Sequence, residues 1–179
     1  MAFSVLAIDQ ATTSGWAFSD GKQTVFGHLK MPKRRDGERL SWLLDELIAL
    51  GHELKPDLIV YEEPFFPIGR PGKFSTQVIS WLQKVEGVVL LSAAKLAIGV
   101  ECYPSQTWRL SFLGYGRKPK GATEDHMKKA TVARVRLLGF PAVTNDEADA
   151  IGILHHALYG EPAMLRRQGD LLQLAGKDL

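Results

Sequence analysis

Short apolar runs, each stopped by an acid or a turn pair, alternate along this chain with longer stretches of helical periodicity. The first run, 3–8, is brief and ends on Asp9, as expected of a strand buried on both faces. Residues 15–19 predict a second strand, Asp20-Gly21 is a strong hairpin signal, and 24–29 pairs back as a third. Over 39–54 the residues Leu40, Leu43, Leu44, Leu47, Ile48 and Leu50 recur at helical spacing. After Pro56-Asp57, the run Leu58-Ile59-Val60-Tyr61 predicts another buried strand leading into Glu62-Glu63. Residues 64–72 hold three prolines and two glycines and predict a loop. A helix over 76–96 and a fifth strand over 99–103 follow. Further helices are expected over 106–113, 123–138 and 146–159, the last with Asn145 as its N-cap.

This β-β-β-α-β-α-β-α order predicts an α/β protein: a mixed five-stranded sheet with helices on both faces, the order expected of a ribonuclease H-like fold. One domain over 1–160 is expected, with 161–179 as a C-terminal peripheral helix or tail. A length of 179 residues with 45% hydrophobic content suits a single core and excludes a disordered chain. The one cysteine, Cys102, can form no internal disulfide and builds no Cys-based zinc site. No apolar run approaches the ~20 residues needed to span a bilayer. Met1-Ala2-Phe3-Ser4 lacks the basic start of a signal peptide, so a soluble cytoplasmic protein is expected.

Two of the buried runs deliver a carboxylate at their ends, Asp9 and Glu62, where open α/β sheets collect ligands and chemistry. Neither has an obvious Lys or Arg nearby in sequence. Asp146 and Asp149 share one face at the start of the last helix. The helix dipole favours them there, although the two charges repel. Four carboxylates brought together call for divalent cations, and hard oxygen ligands suit Mg²⁺ or Mn²⁺ rather than zinc. Two such ions about 4 Å apart can activate a water and stabilise the leaving oxygen in phosphodiester hydrolysis. Taken singly, Asp9 reads equally as a strand-end turn residue and Asp146 as a helix starter. Glu62 and Glu63 point to opposite faces of a strand, so only one enters the site.

The segments Val5-Leu6-Ala7-Ile8-Asp9, Ile59-Val60-Tyr61-Glu62-Glu63 and Asp146-Glu147-Ala148-Asp149-Ala150 give a strand ending in Asp, a central strand ending in Glu and a helix opening D-x-x-D-A. In that order they resemble the RuvC family of Holliday-junction resolvases, in a diverged, phage-like form, from about Ser4 to Leu158. The resemblance implies that Asp9, Glu62, Asp146 and Asp149 are metal-binding catalytic acids, with Glu62 preferred to Glu63. It also implies two Mg²⁺ or Mn²⁺ ions per site, a homodimer, and a four-way DNA junction as substrate. Tyr103-Pro104-Ser105-Gln106-Thr107-Trp108-Arg109 is similar to the family's basic loop-helix region, with Arg109 where the family usually carries Lys. Lys118 and Lys120 both compete for the place of the family's second functional lysine. Gln10-Ala11-Thr12-Thr13-Ser14 departs from the family's glycine-containing turn. Ile8-Asp9-Gln10-Ala11-Thr12-Thr13-Ser14 also resembles the first phosphate motif of actin-like sugar kinases, but those need two such domains and a second Gly-rich phosphate turn, and 179 residues supply one domain without that turn.

The net charge of +2 conceals clustering. Arg117, Lys118, Lys120, Lys128, Lys129, Arg134 and Arg136 form one basic group; Lys30, Lys33, Arg34 and Arg35 form another. Arg70 and Lys73 form a third, in the loop after Glu62. Such residues position a duplex by its phosphates, or are simply a solvated face. Phe65 falls where the family carries an aromatic that inserts at the junction centre, a wedge between base steps. Phe66 reads as a loop anchor, and His155 and His156 as packing residues. Val78, Ile79, Leu82, Val85, Val89 and Leu90 give one helix a wide apolar surface, core with an excess that could serve a dimer. The expected DNA contacts are Phe65, Arg70, Lys73, Arg109, Arg117, Lys118, Lys120 and Lys128. The expected activity is metal-dependent nicking of branched DNA. A related nuclease acting on RNA or flaps and a non-catalytic DNA-binding module are the alternatives.

Overall fold

The computed structural model describes residues 3–64, 76–123, 125–140, 144–166 and 168. Its strands are β1 (Val5–Asp9), β2 (Thr13–Ser19), β3 (Thr24–Lys30), β4 (Leu58–Glu62) and β5 (Gly99–Tyr103). Its helices are α1 (Asp36–Leu54), α2 (Thr76–Leu96), α3 (Ser105–Leu113), α4 (His126–Leu137) and α5 (Asn145–Tyr159). The strand order is β3-β2-β1-β4-β5, with β1–β2 and β2–β3 antiparallel and β1–β4 and β4–β5 parallel. The expected mixed five-stranded sheet is therefore present. At the β2–β3 hairpin the Asp20 Oδ1 accepts from the Lys22 and Gln23 amides, both at 2.9 Å, and Gly21 takes the left-handed φ of 81°.

β1 is central, and its unbroken apolar run is explained by burial on two sides. Val5 and Ala7 face a core with Trp108 and Phe112 of α3, Val135 of α4 and Ile151 and Ile153 of α5. Leu6 and Ile8 face the opposite core, with Leu43 and Leu47 of α1 and Val85 and Val89 of α2. Each fully buried aliphatic side chain contributes roughly 1.5–3 kcal/mol relative to exposure. On α2, Val85 and Val89 are thus core, whereas Val78 and Leu90 are more than 40% exposed.

Element ends depart from the periodicity. α1 begins at Asp36 because its polar first turn precedes the first periodic leucine. The N-cap of α5 is Thr144, not Asn145 as expected from sequence. Thr144 Oγ1 accepts from the Glu147 amide at 3.2 Å, and Glu147 Oε2 accepts from the Thr144 amide at 2.7 Å, a reciprocal capping box. The chain is helical again over 161–166, where Ala163 is buried and Arg166 donates to the Glu101 carboxylate at 3.1 Å. No helix among the described residues is long and apolar enough to cross a membrane.

Candidate active site

The sheet register brings the acids together. β1 and β4 run parallel with Ile8 opposite Tyr61, so Asp9 and Glu62 leave the same end of neighbouring strands. Across β1, β2 and β3 the register forms a row: Asp9 opposite Gly15, and Gly15 opposite His28. The first turn of α5 lies across that row. A Cβ on Gly15 would overlap the Asp146 carbonyl, so the helix approaches β2 this closely only over glycine. One residue on, the Glu147 Oε1 meets His28 Nδ1 at 2.8 Å.

All four predicted acids share one electrostatic field. The Asp9 carboxyl is pushed well above the usual carboxylate range, first by desolvation and then by the charges of Asp149, Glu62 and Asp146. Asp149, only 5% exposed, is pushed up to about 6, mainly by desolvation, against the opposing charge of Arg109. Desolvation also raises Asp146, partly offset by Lys128 and His28. Glu63 is exposed, so of the adjacent pair it is Glu62 that joins the other acids.

Arg109 stands among the acids themselves. Its Nη2 donates to Asp149 Oδ2 at 3.0 Å and lies 3.9 Å from Glu62 Oε2. No Lys or Arg lies near the strand-end acids in sequence; their basic neighbour comes from α3, distant along the chain. Beside it, Trp108 is fully buried against Gly152 of α5 and donates from Nε1 to Glu62 Oε2 at 2.7 Å. The Arg109 guanidinium lies over the Trp108 ring, 4.5 Å from its centroid, and also bonds Ser105 Oγ. Lys128 of α4 is near enough to lower the pKa of Asp146 and Asp149, while Lys118 and Lys120 are exposed on the preceding loop. Arg117 is exposed and donates from Nε to Gln106 Oε1 at 3.0 Å. Phe65, Arg70 and Lys73 lie outside the described residues.

Several site residues escaped the sequence reading. Glu147 is buried. Burial raises its carboxyl, but hydrogen bonds from His28 and Thr144 outweigh this and hold it below its ordinary range. The hairpin closes with Ser19 opposite Thr24 across a four-residue loop, and that register places His28 opposite Gly15. Gln10 is buried and donates from Nε2 to the Glu62 carbonyl at 3.1 Å.

The donor set fits a hard divalent cation. Asp149 Oδ1 and Gln10 Oε1 are buried acceptors with no hydrogen-bond partner, beside three further carboxylates. Among the described residues, no three His, Cys, Asp or Glu side chains are spaced to hold a metal ion together. The Arg109 guanidinium lies within 4 Å of both the Asp149 and the Glu62 carboxylates.

No family model matches the chain. It is 30% identical over 135 residues to the crossover junction endodeoxyribonuclease RuvC of Dictyoglomus thermophilum, covering 75% of this chain and 78% of the relative. Among solved structures it resembles Thermus thermophilus RuvC, with a TM-score of 0.65 and 22% identity over 90% of this chain and 97% of that one. The same protein in complex with a Holliday junction substrate matches with a TM-score of 0.65 and 19% identity, covering 88% and 94%. The structural likeness establishes a ribonuclease H-like fold. The sequence relationship goes further, and the chain belongs to the RuvC family of crossover junction endodeoxyribonucleases.

Proposed function

We propose that this chain is a metal-dependent endodeoxyribonuclease that nicks branched DNA and resolves four-way junctions during recombination or repair, acting as a homodimer in the cytoplasm. What supports this is that the register of β1 and β4 and the start of α5 bring Asp9, Glu62, Asp146 and Asp149 to one end of the sheet, with a buried Asp149 oxygen left unpaired. Divalent-metal dependence goes with the family. We assign Mg²⁺ or Mn²⁺, two ions per site, to these four acids, which would hold them. Bound there, such ions lower the pKa of a water and neutralise the leaving oxygen.

The remaining residues hold this arrangement. Trp108 fixes the Glu62 carboxylate, and the His28–Glu147 pair fixes the start of α5, hence Asp146 and Asp149. Arg109, Arg117, Lys118, Lys120 and Lys128 are assigned to DNA phosphates, with Arg70 and Lys73; Phe65 is assigned as the junction wedge. A two-fold dimer presents two sites to opposite strands of a junction, and Leu90 and Leu91, exposed on α2, suit its interface.

The test is nicking of a labelled four-way junction, a linear duplex and an RNA–DNA hybrid, with and without Mg²⁺. Paired, symmetric nicks in the junction that require Mg²⁺ are expected. Equal rates on the linear duplex contradict junction resolution, and faster cutting of the hybrid favours an RNA-directed nuclease. A persistent monomer that still resolves junctions contradicts the dimer.

A further inference from the structure

We propose that Arg109 is a built-in counter-ion of the metal-free site, which releases Asp149 and Glu62 when the chain takes up a divalent cation. The inference rests on the metal-dependent reading above. Its basis is where the guanidinium sits and how incompletely it is bonded. Nη2 meets Asp149 Oδ2 end-on at 3.0 Å and stands 3.9 Å from Glu62 Oε2. A settled arginine–carboxylate pair forks, each nitrogen taking one oxygen. Here the fork is not made: Arg109 Nε and Asp149 Oδ1 are both buried and both without a partner. A buried donor and a buried acceptor each left unmade are unfavourable, so the Arg109–Asp149 contact falls short of a fully satisfied pair.

Charge sets the direction of exchange. One guanidinium sits among Asp9, Glu62, Asp146 and Asp149, so the acids remain undercompensated while it is their counter-ion. Arginine cannot discharge itself by losing a proton. Arg109 and a divalent cation therefore compete for the charge of Asp149 and Glu62, and in the proposed exchange the side chain gives up both contacts. Two contacts offer it a pivot: the Trp108 ring and Ser105 Oγ, both within α3. Held there, the guanidinium remains at the mouth of the site, free for the phosphate of an incoming strand. Trp108, which donates to the same Glu62 oxygen, keeps that carboxylate in place during the exchange.

The experiment measures two quantities on the full chain without DNA: the metal-free melting temperature, and Mn²⁺ affinity from loss of the free-ion electron paramagnetic resonance signal. Arg109→Gln is expected to melt lower without metal yet bind Mn²⁺ about tenfold more tightly. Opposite movements separate a counter-ion from a purely structural residue, whose loss weakens both. Arg109→Lys offers a single point contact and is expected to bind Mn²⁺ with intermediate affinity; it carries the test if Arg109→Gln does not fold. Mn²⁺ affinity equal to or weaker than wild type in these variants overturns the inference. Asp149→Asn distinguishes the two readings. If it loses Mn²⁺ while the Arg109 variants match wild type, only the counter-ion role fails. If it binds Mn²⁺ like wild type, the metal site itself fails.

Discussion

Asp149 carries two opposed demands: burial favours its neutral form, and cation binding requires its charge. Desolvation pushes its carboxyl up to about 6, above the ordinary 3.8. Because the folded value is the higher, the metal-free fold favours the protonated acid. That stabilising contribution is complete below 3.8 and is lost as pH rises through about 6. Cation uptake works the other way, since it must expel the proton. Mg²⁺ affinity is therefore expected to weaken as pH falls below about 6, with proton release on binding. Calorimetry at one pH in buffers of different ionisation enthalpy reads that release; identical heats in all buffers contradict it. His28 acts one step further out, through Glu147 on the start of α5. His28→Ala is expected to slow single-turnover nicking by about 10–100-fold, as loss of outer-shell support does at metal sites. An unchanged rate would assign the pair to surface decoration.

At the scale of elements, the site depends on where α5 begins. Thr144→Ala removes the capping hydroxyl and is expected to cost about 1 kcal/mol in urea denaturation, whereas Asn145→Ala stays within about 0.5 kcal/mol. The reverse ranking contradicts the capping box. The sequence held this choice in the spacing of Thr144 and Glu147, but Asn145 is an equally good cap by residue type alone. β1 and β4 were legible because burial on both faces leaves an unbroken apolar run, and their acids were legible because each interrupts one. Arg109 was not readable as the partner of Asp149, since only the packing of α3 against α5 joins residues so far apart. Glu147 hid for a related reason: its partner His28 lies on β3, reached only through the hairpin register.

For the whole molecule, the near-neutral net charge conceals four acids gathered at one end of the sheet, with Arg109 and Lys128 beside them, and basic groups clustered along the sequence. That division suits a polyanion held by phosphates and cut at a cation site. In an Asp9→Asn chain, expected to bind without cutting, Lys128→Ala is expected to weaken junction binding alike across sequences and to reduce the salt slope by about 1. An unchanged slope removes Lys128 from the phosphate contacts. The central claim is that the four acids are the cutting centre of a junction nuclease. Its most direct test is the single-turnover rate of nicking a four-way junction in Mg²⁺ by wild type and by folded Asp149→Asn. Mg²⁺-dependent nicking by wild type and loss to background in the variant are predicted; cutting by Asp149→Asn at the wild-type rate would contradict the account.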